Sequence, residues 1–269
     1  MKAKPDLSGV PETALWTLWF RAVATRRGDG LLEDPMAVGL VERIDYPFEE
    51  RFGAGFQFLP QIQALRVLTF DAQVKQFLRD HPRGTVVALG EGLETQFWRL
   101  DNGSVHWLTV DLPDSVALRR RLLPMGERQQ VFAGSALDPK WTELVDPAHG
   151  VMITAQGLLM YLEPERVRSL ISLCANAFPG GTLVFDALPP WMAKAVLHVA
   201  GPFKPPPLPW TLRPKQLRDL KAIDPAIERV VDVRPERGRG LLGRLAPNAR
   251  RIPIIAANRP VIVALRFRS

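Results

Sequence analysis

The chain is poor in the residues that most soluble catalytic centres rely on: 269 residues hold one cysteine, Cys174, four histidines and two tyrosines. A single thiol closes no internal disulfide and builds no multi-cysteine zinc or iron–sulfur site. His81, His106, His149 and His198 are not at H-E-x-x-H spacing, so zinc hydrolysis lacks its ligands and no metal is expected. No G-x-S-x-G elbow is present to expose a serine nucleophile, and no Walker loop to cradle a triphosphate. No apolar run reaches the roughly 18–20 residues of a bilayer span. The opening MKAKPDLSGVPETALW has neither a continuous apolar core nor a small-residue cleavage site, so no secretory signal is expected. These absences predict a soluble, cytoplasmic chain that does not act in a membrane.

Charge is the first positive feature. The formal net charge of +7 raises the question of nucleic acid, and its distribution answers it. Residues 213–269 hold 14 Lys and Arg against 5 Asp and Glu, so the basic excess belongs to the C-terminal segment. There Arg237, Arg239, Arg244, Arg250 and Arg251 stand among Gly and Pro rather than on one helical face. That arrangement reads first as a solvated surface, second as an attraction for a small anionic substrate, and only last as a nucleic-acid site.

Hydrophobic spacing then divides the chain. Leu15, Trp16, Trp19, Phe20 and Val23 recur at intervals of three and four and predict an amphipathic helix over 12–26. Asp34 as cap and Pro35 at the first helical position predict a second helix over 34–44, and Pro82 closes a third that begins near Pro60. From residue 85 the pattern changes to short β-branched runs: TVVAL at 85–89, WLTVD at 107–111, QQVFAGSA at 129–136, GVMITAQG at 150–157 and TLVFD at 182–186. Helices over 113–122 and 164–178 separate some of them. Alternation at this spacing predicts an α/β, Rossmann-like parallel sheet with helices on both faces, beneath an N-terminal helical cap. One domain is expected: cap 1–82, ligand-binding core 83–190, and a substrate-side insertion with late strands over 191–269. The proline-rich GPFKPPPLPW at 201–210 predicts a rigid extended loop near the substrate end, and residues 251–267 supply one or two strands.

In an open α/β sheet, ligands gather outside the carboxyl ends of the strands. Gly90 and Gly92 follow the first strand, where glycine permits positive φ and close approach of backbone to ligand. Asp111, with Leu112 beside it, ends the second strand 21 residues after Gly90, placed to accept hydrogen bonds from ribose hydroxyls. Ser135 and Ala136 end the third predicted strand, where adenine could lie. The nucleotide is not obviously NAD. Thr95 replaces the third glycine of the dinucleotide fingerprint, and Glu91 stands inside the turn where a pyrophosphate would sit. A carboxylate there repels phosphate but tolerates a sulfonium, which favours S-adenosyl-L-methionine.

The ordered blocks TVVALGEGLETQFWRL, WLTVDLPDSVALRRRLLP, GSALDPKW, ITAQGLLMYLEPERV and FPGGTLVFDA resemble the leucine carboxyl methyltransferase family, in its bacterial polyketide-type O-methyltransferase branch. GVPETALWTLWFRA and LEDPMAVGLVERIDYPFEERFG resemble that branch's N-terminal helices, so the likeness spans about residues 1–240. The resemblance implies that Arg66 grips the carboxylate of S-adenosyl-L-methionine, that Asp111 takes the ribose, and that Arg21 and Tyr161 face methyl transfer. It also implies a small acceptor, a carboxylic acid. The family's G-x-G-L-D-T-R loop is here Gly90, Gly92, Leu93, Glu94, Thr95 and Gln96, and its A-E-G-x-L-x-Y motif is Ala155, Gln156, Gly157, Leu159 and Tyr161. Gln156 thus removes a charge near the cofactor. Trp16, Trp19 and Tyr46 are candidates for an aromatic acceptor pocket, and no oligomeric state is implied.

Overall fold

The computed structural model describes residues 2–5, 9–53, 59–199, 203–238 and 252–269. Helices α1 (Thr13–Arg26), α2 (Pro35–Arg43), α3 (Phe48–Phe52) and α4 (Leu59–Asp80) come first. The sequence signals for α2 act as read: the Asp34 side chain accepts from the Ala37 amide at 3.0 Å, with Pro35 in the first turn. Leu15, Leu18 and Phe20 of α1 are fully buried against Leu40, Ile44, Phe48 and Phe52. At about 1.5–3 kcal/mol for each large apolar side chain, this cluster holds the cap together through burial.

The sheet follows. Its strands are β1 (Thr85–Leu89), β2 (His106–Asp111), β3 (Gln129–Ala133), β4 (Val151–Ala155), β5 (Thr182–Ala187), β6 (Ile227–Val233) and β7 (Val261–Phe267), in the order β3-β2-β1-β4-β5-β7-β6. Between them lie α5 (Gln96–Leu100), α6 (Pro113–Leu122), α7 (Pro164–Ala177), α8 (Pro190–Val199) and α9 (Pro253–Asn258). Strands β1 to β5 pair in parallel, as expected, whereas β7 runs antiparallel to both β5 and β6. The uniformly parallel sheet is therefore corrected at one edge. One face buries Val87, Leu89 and Ile153 under Val167, Leu170, Ile171 and Cys174 of α7; the other buries Val86, Ala88 and Met152 under Phe70, Val74 and Leu78 of α4. Strand order reverses between β1 and β4, so the crevice of the switch point opens above their carboxyl ends.

Residues 203–210 carry no regular structure, in line with the expected extended loop, while Gly201 and Pro202 lie outside the described residues, as do Arg239, Arg244, Arg250 and Arg251. Arg237 is exposed. Among the described residues, no helix is long and apolar enough to cross a membrane.

Candidate functional site

A cavity of about 370 Å³ opens at the switch point. Its floor is the turn after β1. Gly90 and Gly92 both take positive φ, +63° and +54°, a region that L side chains rarely enter. A Cβ on Gly92 would stand 2.9 Å from Ala14 Cβ, so this glycine also lets α1 pack down on the turn.

The turn is held from beneath by side chains. Arg119 Nη1 donates to the carbonyls of Gly92 and Glu94 at 2.9 and 2.7 Å, and Arg21 Nη2 donates to that of Leu93 at 2.7 Å. The Asp111 carboxylate accepts from the Gly92 amide at 2.6 Å and the Leu112 amide at 2.7 Å. Burial raises the pKa of Asp111, although both amides favour its ionised form. Each carboxylate oxygen keeps acceptor capacity, so Asp111 can still receive hydroxyls on the cavity side.

Glu91 does not play the part its position in the turn suggested. Its buried carboxylate accepts from Trp107 Nε1 at 3.1 Å and from the Thr109 hydroxyl, and pairs with Arg119 Nη2 at 3.1 Å. Burial raises its pKa against the pull of Arg119. Its carboxylate is thus paired toward β2 and α6, while the residue itself still lines the cavity.

On the opposite wall, Arg66 reaches from α4 to the turn after β4. Its Nη1 is 3.3 Å from Asp186 Oδ2, and its buried Nε has no hydrogen-bond partner. Gly157, at φ +69°, makes room for it: a Cβ there would lie 3.1 Å from Arg66 Nη1. Gln156, Gly157 and Tyr161 all line the cavity, and burial raises the pKa of Tyr161. Asp186 is a site residue that the strand-by-strand reading passed over, although it sits at the end of β5, where that reading looked for ligands on other strands.

Arg21 is corrected. It lies outside the cavity lining, 1% exposed, and donates to Asp34 Oδ2 at 2.7 Å, Glu94 Oε1 at 2.9 Å and Thr95 Oγ1 at 2.9 Å. Arg99 joins the same network through Asp34, Glu94 and Asp71 at 2.9–3.0 Å. Gln96 donates to Asp71 at 2.8 Å. Burial alone would raise the pKa of Glu94, but the Arg21 and Arg99 guanidiniums bring it down to about 2. Both Nη groups of Arg21 meet structural acceptors, and its Nε, buried without a hydrogen-bond partner, lies away from the cavity lining.

Ser135 and Ala136 are corrected too. β3 stops at Ala133, and neither residue lines the cavity. The Ser135 hydroxyl accepts from the Leu137 amide at 3.1 Å, and the Ala136 carbonyl accepts from Trp141 Nε1 at 2.9 Å. Of the three aromatic candidates only Trp16 lines the cavity. Trp19 stacks on Phe48 and donates to the Gly53 carbonyl at 3.0 Å; Tyr46 donates to Glu12 at 2.7 Å.

These features, a glycine turn, an acid at the end of β2 and a guanidinium with an unused nitrogen, fit an adenosyl amino acid. Comparison with known proteins gives the class. Residues 14–175 match the family model described as leucine carboxyl methyltransferase. The tetracenomycin polyketide synthesis O-methyltransferase TcmP of Streptomyces glaucescens is 31% identical over 194 residues, 70% of this chain and 69% of TcmP. The S-adenosyl-L-methionine-dependent methyltransferase dpfgK of Gibberella zeae is 28% identical over 204 residues, 69% of this chain and 68% of that one. The apo structure of the S-adenosylmethionine-dependent methyltransferase SibL superposes with a TM-score of 0.53 at 17% identity, over 79% of this chain and 58% of SibL, a likeness of fold. The chain thus spans about two thirds of the length of these curated relatives. It belongs to the leucine carboxyl methyltransferase family and is an S-adenosylmethionine-dependent O-methyltransferase.

Proposed function

We propose that this cytoplasmic enzyme methylates a carboxylate oxygen on a small, largely apolar molecule of polyketide-like or aromatic type. In this reading residues 1–82 cap the cofactor-binding core of 83–190, and 191–269 close the acceptor end. The observation that carries the proposal is the continuity of the cavity. It runs from Gly90, Asp111 and Arg66 to a wall of Trp16, Ile62, Met160, Leu188, Met192 and Leu208. Apolar walls of this kind select by shape and exclude water.

When bound, S-adenosylmethionine supplies an electrophilic methyl group on a sulfonium. The chain's own residues then have three tasks. Asp111 accepts the ribose hydroxyls and Arg66 receives the amino-acid carboxylate. The apolar wall desolvates the acceptor and holds its oxygen in line. No histidine or lysine lines the cavity among the described residues, which matters little to a carboxylate, already ionised at neutral pH. A phenol would require a base.

The test is a panel of aromatic carboxylic acids and matching phenols, with labelled methyl transfer measured from pH 5.5 to about 10. Methyl esters formed at a rate independent of pH support the proposal. Transfer confined to phenols, rising with pH, contradicts it.

A further inference from the structure

The Arg66–Asp186 contact is a poor salt bridge for its setting. Both side chains are largely buried, 18% and 8% exposed, yet one 3.3 Å contact joins them and Arg66 Nε is left without a partner. Burying two charges costs several kcal/mol per ion unless good geometry and further hydrogen bonds offset it. A pair so incompletely satisfied, facing a cavity, marks a place completed by a ligand.

We propose that Arg66 and Asp186 together receive the amino-acid end of S-adenosylmethionine, Arg66 taking its carboxylate and Asp186 its ammonium. This rests on the cofactor reading above and extends it to a residue that nothing so far assigns. One carbon of the ligand bears both charges, so the groups that receive them must be neighbours, as these two are. Asp186 Oδ1 accepts from the Gly157 amide at 2.6 Å, which fixes the carboxylate at the turn after β4, and each of its oxygens keeps acceptor capacity toward the cavity that it lines. Gln156, the preceding residue of that turn, is neutral, so Asp186 supplies the negative charge on this wall. Gly157 belongs to the same device, since any side chain there would press on Arg66.

The test is calorimetric and needs no turnover. Wild type and Asp186→Asn are titrated with S-adenosylhomocysteine, with its decarboxylated homologue, which keeps only the ammonium, and with methylthioadenosine, which has neither charge. Asparagine retains an acceptor for the Gly157 amide. The expected result is a loss of about tenfold or more for the two ammonium-bearing ligands, as befits a charge-assisted bond, and none for methylthioadenosine. Loss for S-adenosylhomocysteine alone makes Asp186 a support for Arg66 and overturns the proposal. So do equal losses for all three, which mean a deformed cavity, and no loss at all. Should the variant not fold, wild type decides: a deaminated S-adenosylhomocysteine must bind about tenfold or more weakly than the parent, and equal affinity overturns the proposal. Failure of wild type to bind any of these adenosyl ligands would instead sink the cofactor reading itself.

Discussion

Arg21 on helix α1 and Glu94 in the turn after β1 form a buried ion pair at 2.9 Å, 73 residues apart in sequence. With Asp34, Asp71 and Arg99 they bind the helical cap to the turn after β1. The cap is therefore fastened to the catalytic core by charge as well as by its apolar face.

Removing one partner of such a network strands the others. Arg21→Met is expected to destabilise the fold by about 3–5 kcal/mol. For a chain of this size that is a fall in Tm of about 6–20 °C in scanning calorimetry. The acceptor KM, measured well below the variant's Tm, should hold. An unchanged Tm with a raised KM would return Arg21 to the acceptor site.

Glu94 gives the same network a pH signature. Its folded pKa of about 2 lies below the ordinary 4.5, so its contribution is fully present above about 4.5 and is lost as pH falls through about 2. Urea midpoints of wild type and Glu94→Gln should differ most near neutrality and converge on acidification through that window. A constant gap down to pH 2 would mean that Glu94 carries no linked proton.

Asp111 behaves in the opposite sense. Burial raises its folded pKa, so its ionisation opposes the empty fold: the stability it contributes is complete below its unfolded value of 3.8 and is lost as pH rises through the folded one. In its proposed role toward the ribose, Asp111 acts in the ionised form. Affinity for S-adenosylhomocysteine should therefore weaken on acidification, starting above the ordinary aspartate value of 3.8, and Asp111→Asn should flatten that profile. A wild-type profile that is flat down to pH 4 would contradict the assignment.

The two turn glycines should differ under substitution. Both pay backbone strain as alanine, at positive φ. Gly90→Ala meets Leu158 Cδ1 at 3.0 Å, the end of a side chain that can rotate, whereas Gly92→Ala meets Ala14 Cβ at 2.9 Å, which moves only with α1. The drop in Tm should be larger for Gly92→Ala by about 2 °C or more, equivalent to about 1 kcal/mol of overpacking. Equal drops would mean that α1 does not rest on the turn.

How far the sequence revealed this molecule depended on the range of each signal. β1, β2, β4 and β5 are short apolar runs buried on both faces, and Asp34-Pro35 is a local start signal, so all were legible. β6 was not: IERVVDV is partly exposed at the sheet edge, and its pairing partner β7 lies some thirty residues on. The placing of Gly90, Gly92 and Asp111 at strand ends was readable because their spacing is set by one strand–turn–helix–strand unit. The true work of Arg21 and Glu91 was hidden, since it depends on which way a side chain turns and on partners from other elements. Asp186 was accessible to the same strand-end rule that singled out Asp111, but the sequence analysis did not single it out.

The claim that the switch-point cavity holds S-adenosylmethionine is tested most directly by titrating wild type and Asp111→Ala with S-adenosylhomocysteine and with NAD. The account predicts that S-adenosylhomocysteine binds wild type and, at about 100 times its dissociation constant, stabilises the fold by about 2.7 kcal/mol. It predicts binding about 10- to 150-fold weaker in a folded Asp111→Ala, and none for NAD. Stabilisation by NAD without S-adenosylhomocysteine, or equal affinity in the two proteins, would contradict it.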